Sequence, residues 1–151
     1  MTLDPEKRDI LDRVRSAPEI GRSLRAVSMN LLAGLDGYDW SGVYRLESDT
    51  LVLDAYVGAP TDHDRIPIGR GVCGAAVAER QNQVVEDVSV LSNYLSCSVD
   101  TRSEIVVLIR SSSGSILGQI DIDSHQKARF GPQDEAFLEA LGNVLAERWD
   151  D

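Results

Sequence analysis

Apolar positions in the first third of the chain recur every three or four residues, then give way to alternation from about residue 40. Ile10, Leu11 and Val14 fall at helical spacing behind Pro5, a residue suited to the first turn of a helix. Ile20, Leu24, Val27, Leu31 and Leu35 continue the period and predict a second helix from about Pro18 to Leu35, with Gly37 just beyond it. Residues 40–46 and 51–57 are β-rich runs joined by Glu47-Ser48-Asp49-Thr50, which is the pattern of a hairpin. A loop over residues 58–70 leads to the small apolar stretch 72–79, read as a short helix, and residues 83–88 read as a further strand. Residues 89–103 show little periodicity and read as a structured loop.

Residues 104–110 and 116–123 form two more strands, joined by Ser111-Ser112-Ser113-Gly114-Ser115 and therefore antiparallel neighbours. A terminal helix from near Pro132 carries Phe137, Leu138, Leu141, Val144 and Leu145 on one face. This order predicts an α+β layer fold in which helices cover an antiparallel sheet. No repeat, heptad or Pro-rich linker divides the 151 residues, so one domain over 1–151 is expected.

Charge and composition narrow the function classes. The chain carries 25 acidic and 15 basic residues, a formal charge of −10, which repels phosphate backbones and anionic lipid. Its apolar run Ile105-Val106-Val107-Leu108-Ile109 is far too short to span a bilayer, and the polar N-terminus has no signal-peptide core. A cytoplasmic protein without nucleic-acid or membrane partners is the expectation. The two cysteines, Cys73 and Cys97, lie 24 residues apart without a Cys-x-x-Cys or a nearby His, so no metal site is expected.

Cys97 lies in Tyr94-Leu95-Ser96-Cys97-Ser98, flanked by hydroxyls rather than set on an apolar face. A free cysteine is most often a small buried hydrophobe, and reactivity requires a lowered thiol pKa. Cys73 lies in Gly69-Arg70-Gly71-Val72-Cys73-Gly74, where glycines permit close backbone approach and a helix start directs N–H groups outward. Asp121-Ile122-Asp123 places two carboxylates on one strand face, and Glu104 opens the neighbouring strand. Acidic residues are depleted in strands. Three that converge could recognise an ammonium, bind a hard cation, or keep one carboxyl protonated; the alternative is a solvated strand end. Trp40 and Tyr44 share a side of the first strand, which suits either core packing or an aromatic wall for a small cationic ligand.

Taken together, residues 69–74, Glu86-Asp87-Val88, Cys97, Ser103-Glu104-Ile105-Val106 and Gly118-Gln119-Ile120-Asp121-Ile122-Asp123-Ser124 resemble the free methionine-(R)-sulfoxide reductases, which are stand-alone GAF-domain enzymes. Trp40-Ser41-Gly42-Val43-Tyr44 and Arg129-Phe130 match in order and spacing, and the similarity runs from roughly Leu24 to Leu145. The resemblance implies a GAF-like sheet of about six antiparallel strands with helices on both faces. It implies reduction of free L-methionine-(R)-sulfoxide, with Cys97 as nucleophile and Cys73 as resolving thiol; the carboxyls present offer Glu104, or one of the Asp121 and Asp123 pair, as the acid for that chemistry. It also implies a substrate pocket lined by Trp40, Tyr44, Glu104, Asp121 and Asp123. No bound cofactor is expected; a thioredoxin-type external reductant would complete the cycle, and a homodimer is among the expected partners. Members often carry a further cysteine before the Arg-Ile-Pro segment, and often Asp directly after the nucleophile. Here His63-Asp64-Arg65-Ile66-Pro67 holds no thiol and Ser98 follows Cys97, which leaves a two-cysteine route. GAF domains also serve as non-catalytic small-molecule sensors, the competing expectation.

Overall fold

Helix α1 (Pro5–Ser16) starts at Asp4, whose carboxylate accepts the Lys7 backbone N–H at 3.0 Å, and Pro5 occupies its first turn. Its Ile10, Leu11 and Val14 are buried, as their spacing predicts. The computed structural model describes residues 2–91 and 100–150. Helix α2 is shorter than the periodicity suggests, Gly21–Leu32. Ile20 is its extended N-cap and is 58% exposed, while the buried stripe runs through Leu24, Arg25, Ser28, Met29 and Leu32. Two polar residues disguise that face: Arg25 pairs with Asp54, and Ser28 Oγ donates to the Leu24 carbonyl at 2.8 Å.

Strands β1 (Trp40–Glu47) and β2 (Thr50–Val57) form the first expected hairpin, and β5 (Ser103–Arg110) and β6 (Ile116–Ser124) the second. Their register joins them through β1 and β6, so the sheet order is β3-β2-β1-β6-β5-β4, antiparallel throughout. Strand β3 (Arg65–Pro67) lies in the segment expected to be loop; it pairs with Thr50–Val52 at the sheet edge, where a proline costs no ladder bond. Strand β4 (Gln83–Val85) is shorter than expected. Asp87 accepts the Ser89 N–H and caps a 3-10 turn, Val88–Val90, that ends the extended run.

The two faces of the sheet bury different things. On one, α1, α2 and α4 (Pro132–Glu147) cover Val43, Ile105, Val107, Ile109, Ile120 and Ile122, forming the larger apolar core. On the other, the short helix α3 (Gly71–Glu79) covers Trp40, Tyr44, Val106 and Leu108. Helices therefore stand on both faces of a six-stranded antiparallel sheet, the predicted α+β architecture. No helix among the described residues is long and apolar enough to cross a membrane.

Candidate active site

The period-two rule sends alternate residues of β6 to opposite sides. Ile120 and Ile122 enter the larger core, so Gln119, Asp121 and Asp123 must face α3. Cross-strand pairing arranges this second face in three rows. Asp123 lies between Trp40 and Glu104, Asp121 between Gly42 and Val106, and Gln119 between Tyr44 and Leu108. The expected convergence of Glu104, Asp121 and Asp123 is thus built by register, and all three are buried at 1% exposure or less. The solvated-strand-end alternative does not hold.

Cys73 comes to this face from the first turn of α3. Its Sγ donates to Asp121 Oδ2 at 3.4 Å and stands 4.0 Å from Glu104 Oε2. Close approach is achieved by Gly74, where a Cβ would sit 2.6 Å from the Pro67 carbonyl oxygen and 2.9 Å from the Gly69 nitrogen. The Gly69 N–H donates to the Gly74 carbonyl at 2.8 Å and holds the turn in place. Ligand atoms of Cys73, Glu104 and Asp121 all lie within 4.8 Å of one another. A thiol with two carboxylates is a donor set that suits a thiophilic divalent cation as well as an ammonium, although neither cysteine spacing nor histidine position suggests it.

The aromatic residues form the wall beside the acids. The Trp40 ring lies over Gly42, where a Cβ would come within 2.4 Å of the indole, and it stacks on Tyr56 at 5.5 Å between centroids. The Trp40 indole N–H donates to the Ala59 carbonyl at 2.9 Å, and the Tyr44 hydroxyl donates to the His63 carbonyl at 2.7 Å. Both rings therefore pin the β2–β3 connection over the sheet. Tyr56 carries no distinguishing sequence signal of its own, yet it faces the same side as Gly42, its cross-strand partner.

Of the expected site residues, the structure brings together Cys73, Glu104, Asp121, Asp123, Trp40 and Tyr44 on one buried face. Cys97 lies outside the described residues. A surface recess of about 510 Å³ opens beside the ends of β5 and β6, between Asp87, Thr101, Arg102 and His125; its lining does not include the buried acids. Gln119, like Tyr56, is a residue on this face that sequence reasoning misses. A signal for it exists, since Gln119 begins the same alternation as Asp121 and Asp123.

The GAF domain family matches residues 24–149 of the chain. The free methionine-R-sulfoxide reductase of Escherichia coli K12 is 42% identical over 119 residues, covering 79% of this chain and 71% of that protein. The yeast protein of the same name, from Saccharomyces cerevisiae, is 37% identical over 71% of this chain and 61% of its own length. The X-ray structure of free methionine-R-sulfoxide reductase from Neisseria meningitidis, in complex with its substrate, superimposes with a TM-score of 0.88 at 35% identity, over 99% of this chain and 92% of that one.

Proposed function

Since the chain belongs to the GAF-domain family and, within it, to the free methionine-R-sulfoxide reductases, we propose that it reduces free L-methionine-(R)-sulfoxide to L-methionine. The observation that carries this reading is the buried thiol of Cys73 hydrogen-bonded to Asp121 beside Glu104. A sensor pocket has no need of a thiol among acids; a thiol-dependent reductase does.

The chemistry uses two thiols and one acid. The Cys97 thiolate attacks the sulfoxide sulfur while a neutral carboxyl, Glu104 or one of the Asp pair, protonates the departing oxygen. Crowded carboxyls in a buried site favour such a proton, because like charges there oppose joint ionisation. The oxygen passes to Cys97 as a sulfenic acid and the substrate leaves as methionine, so the substrate sulfur gains the electron pair that Cys97 loses. The Cys73 thiol then attacks that sulfenic sulfur, forming a disulfide and releasing water. An external dithiol, of the thioredoxin type, reduces the disulfide and is itself oxidised. The remaining carboxylates hold the substrate's α-ammonium, and Trp40 and Tyr44 pack its S-methyl end.

The test is NADPH consumption in an assay coupled through thioredoxin and its reductase. Turnover of the free (R)-sulfoxide, with little on the (S)-epimer or on a peptide-embedded residue, is the expected result. Binding of the sulfoxide without turnover would instead assign the chain to non-catalytic metabolite binding.

A further inference from the structure

Gln119 is fully buried, yet neither its Oε1 nor its Nε2 has a hydrogen-bond partner among the described residues. A primary amide in this position is costly: it carries two N–H donors and a carbonyl, and its side-chain neighbours across the strands are Tyr44 and Leu108. The nearest polar atom of that pair, the Tyr44 hydroxyl, is directed to the His63 carbonyl. A leucine or methionine would fill the same space without a polar group to satisfy. An amide buried in this state calls for a partner, and on a face shared with the buried acids and the thiol a bound ligand supplies one.

Position on the sheet indicates which part of a ligand. The rows run from Glu104 and Asp123 at one end, through Asp121 with the Trp40 ring lying over Gly42 beside it, to Gln119 and Tyr44 at the other. An amino acid whose ammonium rests on the acids therefore extends its side chain toward Gln119. Alternate residues of a strand stand about 6.7 Å apart, comparable to the reach from an α-ammonium to the oxygen of a sulfoxide one bond beyond the γ-carbon. That oxygen is a strong acceptor, and the acids around it serve it only when protonated. A neutral amide donates at any pH.

Resting on the reductase reading above, we infer that Gln119 is a specificity-determining residue whose side-chain N–H donates to the sulfoxide oxygen of the substrate. The amide thereby distinguishes the oxidised substrate from the methionine product, which has no oxygen to receive the bond.

The experiment compares two ligands rather than two rates. In a Cys97→Ser background, which stops turnover, calorimetry measures affinity for L-methionine-(R)-sulfoxide and for L-methionine. Gln119→Met, nearly isosteric and apolar, should weaken sulfoxide binding about tenfold and leave methionine binding unchanged or tighter. Gln119→Glu keeps the shape but, when ionised, loses both donors; it should show the same selective loss, which guards against a folding defect in either variant. An equal loss for both ligands would overturn the inference, since the amide would then shape the pocket or serve the amino-acid end. Unchanged sulfoxide affinity would overturn it as well. Failure of the Gln119-intact protein to bind either ligand is a different result: it would remove the reductase reading and this inference with it.

Discussion

The Cys73 thiol donates to Asp121 Oδ2 with Glu104 Oε2 beside it, and those contacts tie the thiol's reactivity to the acids around it. Changing any of the acids should therefore act on rate more than on folding. Glu104→Gln, Asp121→Asn and Asp123→Asn are each expected to lower turnover of the free sulfoxide by about tenfold or more, read as kcat/KM in the coupled assay. Wild-type rates in all three would remove these acids from the chemistry. Cys73→Ser should release about one methionine per chain and then stall, because no second thiol closes the disulfide. Sustained turnover in that variant would mean that the external reductant meets Cys97 directly. The acid pair is legible in the sequence because Ile122 separates Asp121 from Asp123, and strands rarely spend two carboxylates on one face. Gln119 belongs to the same stripe but is inconspicuous there, since a lone glutamine carries no charge. Its meaning depends on being buried without a partner, which no local pattern encodes.

Among the elements, α3 is held at its sheet distance by a missing side chain. Gly74→Ala would push a methyl into the Pro67 carbonyl, a backbone atom that cannot swing aside. The helix must lift or rotate, and Cys73, one residue earlier, moves with it. We expect a stability loss of about 1–3 kcal/mol from overpacking, accompanied by a disproportionate fall in activity. Equilibrium denaturation alongside the coupled assay separates the two, and full activity with lowered stability would contradict the coupling. Helix α1 has a pH-sensitive start. The Lys7 backbone N–H bonds to the Asp4 carboxylate and lowers its pKa, with the Lys7 side chain reinforcing the effect. A carboxylate favoured in the folded state contributes fully above the usual carboxylate range, and its contribution fades as pH falls through the lowered value. Protection factors of the first α1 amides, with the intrinsic pH dependence of exchange divided out, should accordingly fall on acidification in the wild type and change less in Asp4→Ala; identical profiles would rule out the cap's role. Strand β3 shows where sequence runs out at this scale. Arg65–Pro67 is too short to establish a period, and only the distant Thr50–Val52 edge makes it a strand. The hairpins are readable because both their strands and turns are local, whereas the β1–β6 pairing that unites them joins residues about 80 positions apart.

At the scale of the whole molecule, a buried ionic knot ties distant parts of the chain together. Arg25 of α2 pairs with Asp54 of β2, donates from Nη1 to the Trp149 carbonyl at 2.8 Å, and lies 4.4 Å over the Trp149 ring. It links a helix, a strand and the end of the chain at one side chain that is 1% exposed. Arg25→Met should cost about 3 kcal/mol, the low end for breaking a buried pair, because Arg45 and Arg22 remain within 3.3 and 3.7 Å of Asp54. Urea denaturation checks the figure, and an unchanged midpoint would refute it. The two-faced sheet has a consequence of another kind. Along β6, neighbours in sequence answer to different selective pressures: Ile120 and Ile122 are packed into the scaffold, while Gln119, Asp121 and Asp123 face the thiol. In a library of every single substitution, scored separately for cellular abundance and for rescue of a methionine auxotroph fed the sulfoxide, this strand would read as a zebra pattern. Between residues 119 and 123, odd-numbered positions would lose growth while the protein stays abundant, and even-numbered ones would lose the protein itself. Before Gly118 the register shift reverses the order, with Leu117 on the scaffold side and Ile116 on the other.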